Sequence, residues 1–165
     1  MNDYIKTLAE AKKLDISLKP NRWKFDNNPY IISGPCSVES EDMIVDWAHK
    51  MKNSGVNALR GGAYKPCTYP IREEIGENGW KEGLREQGLQ FLKTAREETG
   101  LPIVSEIMDS NQITESTMEC IDIVQVGTRN FQNYTLLDAL GELDVPILLK
   151  RGTWGTIDEI LGAVE

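Results

Sequence analysis

This sequence lacks long apolar runs, cysteine pairs and an excess of positive charge. No stretch approaches the ~20 consecutive apolar residues of a membrane-spanning helix, so no membrane partner is expected. The 18 Lys+Arg against 26 Asp+Glu leave a net charge of −8. That balance argues against a nucleic-acid partner, which needs a basic face to release counterions from phosphates. The three cysteines, Cys36, Cys67 and Cys120, are odd in number, far apart and without a CxxC pair. They fit a reducing, cytoplasmic location and no disulfide framework. The start, Met1-Asn2-Asp3-Tyr4-Ile5-Lys6, has no basic segment followed by an apolar one, so no signal peptide is expected. The single histidine, His49, lies off the apolar stripe of its helix and reads as a solvated side chain rather than a base. HExxH, GxGxxG and Walker motifs are all missing, which weakens zinc-protease, dinucleotide and nucleoside-triphosphate readings.

What is present describes an ordinary globular domain: 165 residues, 40% hydrophobic, 27% charged, with 14 Gly and 7 Pro. A core of this size buries roughly 68–70% of the unfolded chain's surface. The length rules out a complete eight-fold α/β barrel, which takes about 250 residues.

Residues 3 to 13 have the spacing of a short helix, and residues 21 to 29 read as a linker. Beyond them, short β-branched runs alternate with amphipathic helical patterns, the signature of βα units on a parallel sheet. The expected strands are Tyr30–Ser33, Val56–Leu59, Ile103–Ile107, Ile121–Val126 and Val145–Leu149. The helix after the first starts near Ser40, with Glu41 and Asp42 in its first turn. The second carries Leu84, Leu89, Leu92 and Ala95 and stops at Gly100. A third is expected around Ile113 to Met118, a fourth carries Leu136, Leu137 and Leu140, and a fifth opens with the capping box Thr156-x-x-Glu159. That last helix ends at Glu165 with a carboxylate of the wrong sign for the helix dipole, so the end reads as a cut.

In parallel α/β folds the ligand site lies at the carboxyl ends of the strands. Here those ends supply Arg60, Lys65, Arg129, Lys150 and Arg151 to one rim. Clustered cations in an acidic chain imply an anionic ligand, since guanidinium forks match phosphate or carboxylate; the alternative is pairing with carboxylates such as Glu106. Cys36 admits two roles, a small buried hydrophobe or a thiolate ligand or nucleophile, and on chemistry alone the buried role is the commoner. The connection from Gly61 to about Gly83 far exceeds the usual 2 to 6 residues of a βα loop. It carries Lys65, Cys67 and Thr68, whose hydroxyl can bond a phosphate oxygen.

Four ordered segments, Ile32-Ser33-Gly34-Pro35-Cys36-Ser37-Val38-Glu39-Ser40, Leu59-Arg60-Gly61-Gly62-Ala63-Tyr64-Lys65-Pro66, Val126-Gly127-Thr128-Arg129-Asn130 and Leu148-Leu149-Lys150-Arg151-Gly152, closely resemble type I 3-deoxy-7-phosphoheptulonate (DAHP) synthases. The resemblance covers residues 28 to 165. It implies a (β/α)8 TIM barrel, here as its first five parallel βα units behind a short N-terminal extension, residues 1 to 27. The implied activity condenses phosphoenolpyruvate with erythrose 4-phosphate at the start of the shikimate pathway to aromatic amino acids. By resemblance, Cys36 matches the family's metal-binding cysteine, which reverses the preference for a buried thiol. Arg60, Lys65, Arg129 and Lys150 match phosphoenolpyruvate-binding positions, with Lys65 the proton donor to the developing alkoxide. Glu106 matches an active-site carboxylate, and Thr68 a residue at the erythrose 4-phosphate phosphate.

Two departures stand out. The family's Lys-Pro-Arg-Thr reads Lys65-Pro66-Cys67-Thr68, which removes a guanidinium expected at the second substrate. The family's divalent metal (Mn2+, Fe2+, Co2+ or Zn2+) takes further His, Glu and Asp ligands from the last two strands, which this chain does not contain. A fragment, or half of a split enzyme or homo-oligomer, is therefore expected. The alternatives are a sibling synthase using arabinose 5-phosphate or an amino sugar, and a non-catalytic phosphoenolpyruvate-binding half-barrel.

Overall fold

The computed structural model describes residues 29–65 and 83–164. The extension at residues 1 to 27, its expected helix, and the Cys67 and Thr68 positions lie outside the described residues. Five strands form one sheet: β1 (Ile32–Ser33), β2 (Ala58–Arg60), β3 (Ile103–Ile107), β4 (Ile123–Val126) and β5 (Ile147–Leu149). All neighbours are parallel and the spatial order is the chain order. Right-handed crossovers without a reversal of order lay every helix on the same face, and the sheet curls as half of a barrel.

Between the strands run α1 (Glu41–Asn53), α2 (Arg85–Thr99), α3 (Glu115–Cys120) and α4 (Tyr134–Gly141), with α5 (Ile157–Val164) after β5. Each start has a local chemical cause. Ser40 caps α1 by accepting from Met43 N at 3.2 Å, and Glu41 and Asp42 at one end and Lys50 and Lys52 at the other complement the dipole. Ile44 and Ala48, four apart, are buried against the sheet. Gly100 ends α2 in the left-handed conformation, φ 72°, which glycine adopts without steric cost. The capping box of α5 is present: Glu159 N donates to Thr156 Oγ1 at 3.2 Å, and Thr156 N donates back to Glu159 Oε2 at 2.7 Å.

Strand boundaries differ from the sequence reading at their starts. Tyr30 and Ile31 precede the β1 ladder, where the Asn57 side chain accepts from Ile31 N at 2.7 Å. The second strand is shifted toward Arg60. The fourth loses Ile121 and Asp122, because Ile121 closes α3 and the Asp122 carboxylate accepts from Ile103 N at 2.9 Å and from Arg96 Nη1 at 3.1 Å. The third helix begins two residues later than expected, since Thr114 caps it by accepting from Thr117 N after a 3₁₀ turn at Ser110–Gln112.

Side chains alternate between two faces. Leu59, Ile103, Ile107, Val124 and Val126 pack with the helices, whereas Ala58, Val104 and Ile123 form a second cluster with Ile32 and Leu148 on the inner face. That parity decides where the polar residues at the strand ends point. At the outer strands, Ile31 just before β1 and Ile147 in β5 are exposed, as expected of sheet edges. No helix among the described residues is long and apolar enough to cross a membrane.

Candidate active site

Counting by twos from the inner-face cluster, Ala58 leads to Arg60, Val104 to Glu106, Ile123 to Gln125 and Leu148 to Lys150. The ladder sets Arg60 opposite Val104, Glu106 opposite Gln125 and Gln125 opposite Leu148. Four polar side chains from four neighbouring strands therefore share one face near the carboxyl ends. Of the five cations expected at one rim, this counting brings Arg60 and Lys150 to that face.

Glu106 is its centre. It is 5% exposed, and Gln125 Nε2 donates to its Oε2 at 2.8 Å. Desolvation pushes its carboxyl above the ordinary range, opposed by the Gln125 hydrogen bond and the charges of Lys65, Arg60 and Lys150. Three of the sequence-predicted cations thus face this one carboxylate. Gly127, directly after β4, gives it room: a Cβ there would collide with Glu106 Oε1.

Cys36 is exposed, which overturns the buried role that chemistry alone favoured. The turn after β1 carries it off the sheet, toward cations rather than into the apolar layer. Hydrogen bonds from Lys65 and Arg60 hold its thiol below the ordinary range. Arg60 also donates to Pro35 O at 3.2 Å, tying the ends of β1 and β2 together. The neighbouring Tyr64 is buried and donates to Glu86 Oε1 at 2.9 Å; burial and that carboxylate push its phenol up to about 12. Arg85 N donates to Ala63 O at 2.9 Å, so both ends of the connection carrying Lys65 are fastened at its base.

Arg129 lies in the 3₁₀ turn Thr128–Asn130 after β4 and is exposed. Lys150 N donates to Val126 O at 3.1 Å, placing the end of β5 beside the start of the Arg129 turn. Arg151 departs from its expected role, donating to Gly155 O within its own loop. His49 is exposed and bonds Glu98 Oε2 at 3.0 Å, as expected of a solvated side chain.

A thiolate is the metal-ligating form of cysteine, so Cys36 has suitable chemistry. No group of three His, Cys, Asp or Glu residues that could hold a metal gathers among the described residues. One soft donor does not make a site for a divalent ion, so the described residues do not by themselves fit a metal.

The family profile described as the DAHP synthetase I family matches residues 16–165. The chain belongs to that family. It is 42% identical over 135 residues to the phospho-2-dehydro-3-deoxyheptonate aldolase of Thermotoga maritima, covering 82% of this chain and 37% of that protein. It is 27% identical over 135 residues to a 2-dehydro-3-deoxyphosphooctonate aldolase of Campylobacter jejuni, covering 82% of this chain and 49% of that one. The crystal structure of the Thermotoga maritima DAHP synthase superposes with a TM-score of 0.72 at 38% identity, over 89% of this chain and 39% of that one. The chain thus spans less than half the length of these relatives.

Sequence reasoning did not pair Gln125 with Glu106 or Glu86 with Tyr64. Gln125 was legible as a polar residue in strand parity with Ile123, and a buried amide on an inner face signals a hydrogen-bonding duty. Glu86 as partner of Tyr64 carried no signal, because the long intervening connection separates them.

Proposed function

We propose that this chain supplies the phosphoenolpyruvate-binding half of a 3-deoxy-7-phosphoheptulonate synthase, which joins phosphoenolpyruvate to erythrose 4-phosphate. The observation that carries this reading is the convergence of Arg60, Lys65 and Lys150 on Glu106 at the inner-face strand ends, in a chain of net charge −8. Such a cluster suits a ligand that is both phosphate and carboxylate. Arg129 and Lys150 clamp its charged groups and Arg60 orients it. Condensation forms a bond from phosphoenolpyruvate C3 to the aldehyde carbon. Lys65 donates a proton to the alkoxide that develops there, water adds at C2, and inorganic phosphate leaves. Glu106 sits beside the reacting carbon, and Thr68 meets the phosphate of the second substrate. Holding two phosphorylated substrates together against their repulsion is the work of the cations.

Cys36 would be the thiolate donor to a divalent metal, whose other ligands would have to come from outside the described residues and which would supply Lewis-acid polarisation of the aldehyde. The domain reading follows: residues 28 to 165 form the barrel portion, and residues 1 to 27 an extension. We further propose a cytoplasmic location and assembly with a C-terminal half or with further copies of the chain.

Calorimetry with phosphoenolpyruvate tests the reading. The chain is expected to bind it, and Arg129→Ala to weaken binding by about tenfold or more. A folded chain that does not bind phosphoenolpyruvate would overturn the proposal. The 27% relative named as a phosphooctonate aldolase marks the sibling reading. A panel of erythrose 4-phosphate, arabinose 5-phosphate and an amino sugar, with a complementing C-terminal half, separates the two by phosphate release. Binding without release in that folded complex favours the non-catalytic module.

A further inference from the structure

We propose that Phe131 is a positioning residue that sets the spacing between Arg129 and Lys150 by locking their two loops together. This inference rests on the assignment of those cations to one anion clamp.

Phe131 closes the 3₁₀ turn Thr128–Asn130 and is 0% exposed. Its ring reaches across to the loop after β5. A Cβ at Gly152 would collide with Phe131 Cε1 and Cδ1, and one at Gly155 with Cζ and Cε2, so the ring occupies a slot that exists only because both positions are glycine. Trp154, between those glycines, tilts over it with centroids 5.8 Å apart and planes at 57°. Each loop is stiff in itself. In the first, Asn130 N donates to Gly127 O at 2.9 Å and Asn133 N to Asn130 O at 3.0 Å. In the second, Gly155 N donates to Gly152 O at 3.1 Å, and Arg151 to Gly155 O. A second tie runs outside the ring: Trp154 Nε1 donates to Gln132 Oε1 at 3.4 Å, and Gln132 Nε2 to Glu159 Oε1 at 3.2 Å.

Arg129 lies two residues before the ring, and Lys150 two residues before the first glycine of the slot. Each cation hangs on a short stiff lever whose far end is Phe131. Ordinary core filling does not need two glycines cleared for one aromatic. Interdigitation of this kind fixes the relative placement of two loops, because a close-packed interior transmits displacement rather than absorbing it. A preorganised clamp needs its charged groups set before the anion arrives.

The experiment is a calorimetric double-mutant cycle with phosphoenolpyruvate on the full chain. Arg129→Ala, Lys150→Ala and the double variant are titrated in the parent and in Phe131→Ala. In the parent, the double variant is expected to lose less affinity than the product of the single losses, because the cations share one ligand. In Phe131→Ala, affinity is expected to fall by about tenfold and the single losses to multiply. Removing a buried ring can unfold a protein, so Phe131→Leu and Gly155→Ala are measured alongside, the latter displacing the ring while leaving it in the chain. Thermal melts establish that each variant is folded. A folded Phe131→Leu or Gly155→Ala with parental affinity and parental coupling overturns the positioning role while leaving the anion clamp standing. Absence of phosphoenolpyruvate binding by the parent removes the clamp and this role with it.

Discussion

Glu106 and Gln125 face each other across the β3–β4 ladder and share a 2.8 Å hydrogen bond, beneath the cations of the rim. The amide fixes Oε2, Oε1 lies against Gly127, and the carboxylate as a whole feels the charges of Lys65, Arg60 and Lys150. A buried carboxylate whose pKa is raised by desolvation is suited to handling a proton or steadying a cationic side chain.

The same burial has a cost in stability. Because the folded Glu106 carboxyl is raised above its unfolded value, the unfolded chain gives up its proton first as pH rises, and folding is penalised above the ordinary carboxylate range. Glu106→Gln keeps an acceptor for Gln125 and removes the penalty. Thermal melts are expected to show the variant more stable than the parent at pH 7, with the difference vanishing below about pH 4. Equal melting gaps at both pH values would contradict this.

Gly127→Ala places a methyl group on the Glu106 carboxylate. The pair with Gln125 must then move or break, with an expected loss of about 1–3 kcal/mol in urea unfolding. If Gly127→Ala costs as much in a Glu106→Ala background, where the side chain it would hit is gone, as it does in the parent, the steric account is wrong.

Arg96 and Asp122 form the ion pair beneath the sheet, with Asp122 1% and Arg96 15% exposed at their side chains. Asp122 also accepts from Ile103 N, and Arg96 Nη2 donates to Glu119 O at 2.6 Å. Arg96→Ala leaves a buried carboxylate without its counter-charge, so a loss of about 3–5 kcal/mol is expected by chemical denaturation. A loss within about 0.5 kcal/mol, the range of surface substitutions, would count against a buried pair.

Cys36 and Cys120 are expected to differ in reactivity. Lys65 and Arg60 favour the Cys36 thiolate, whereas burial pushes the Cys120 thiol up. Peptide mapping after brief iodoacetamide treatment at pH 7 should find Cys36 alkylated and Cys120 intact. Lys65→Met should slow the Cys36 reaction; an unchanged rate would show that the lysine does not act on the thiol.

Much of this site was legible because strand parity is strict. Once Ile103–Ile107 is a strand, Glu106 must share a face with Val104, and the same counting brings in Arg60, Gln125 and Lys150. The helix caps at Ser40 and Thr156 were equally readable, since each bonds within three residues. Contacts between distant segments were not. Nothing local says that Tyr64 meets Glu86, that Arg151 turns to Gly155, or that Gly152 and Gly155 are small for the sake of Phe131. The exposure of Cys36 was likewise a property of how one turn leaves the sheet, which the cysteine's own chemistry does not encode.

The fastening of the connection after β2 at its base separates two jobs that loops often share. Arg85 N on Ala63 O and the Tyr64 hydroxyl on Glu86 tie the two ends of this connection to each other. Closing a longer connection between anchored ends costs little, about 0.6 kcal/mol per doubling of length. A change of length between those anchors therefore costs folding little. The connection can then vary in length while Arg60, Glu106 and Lys150 at the strand ends keep their places.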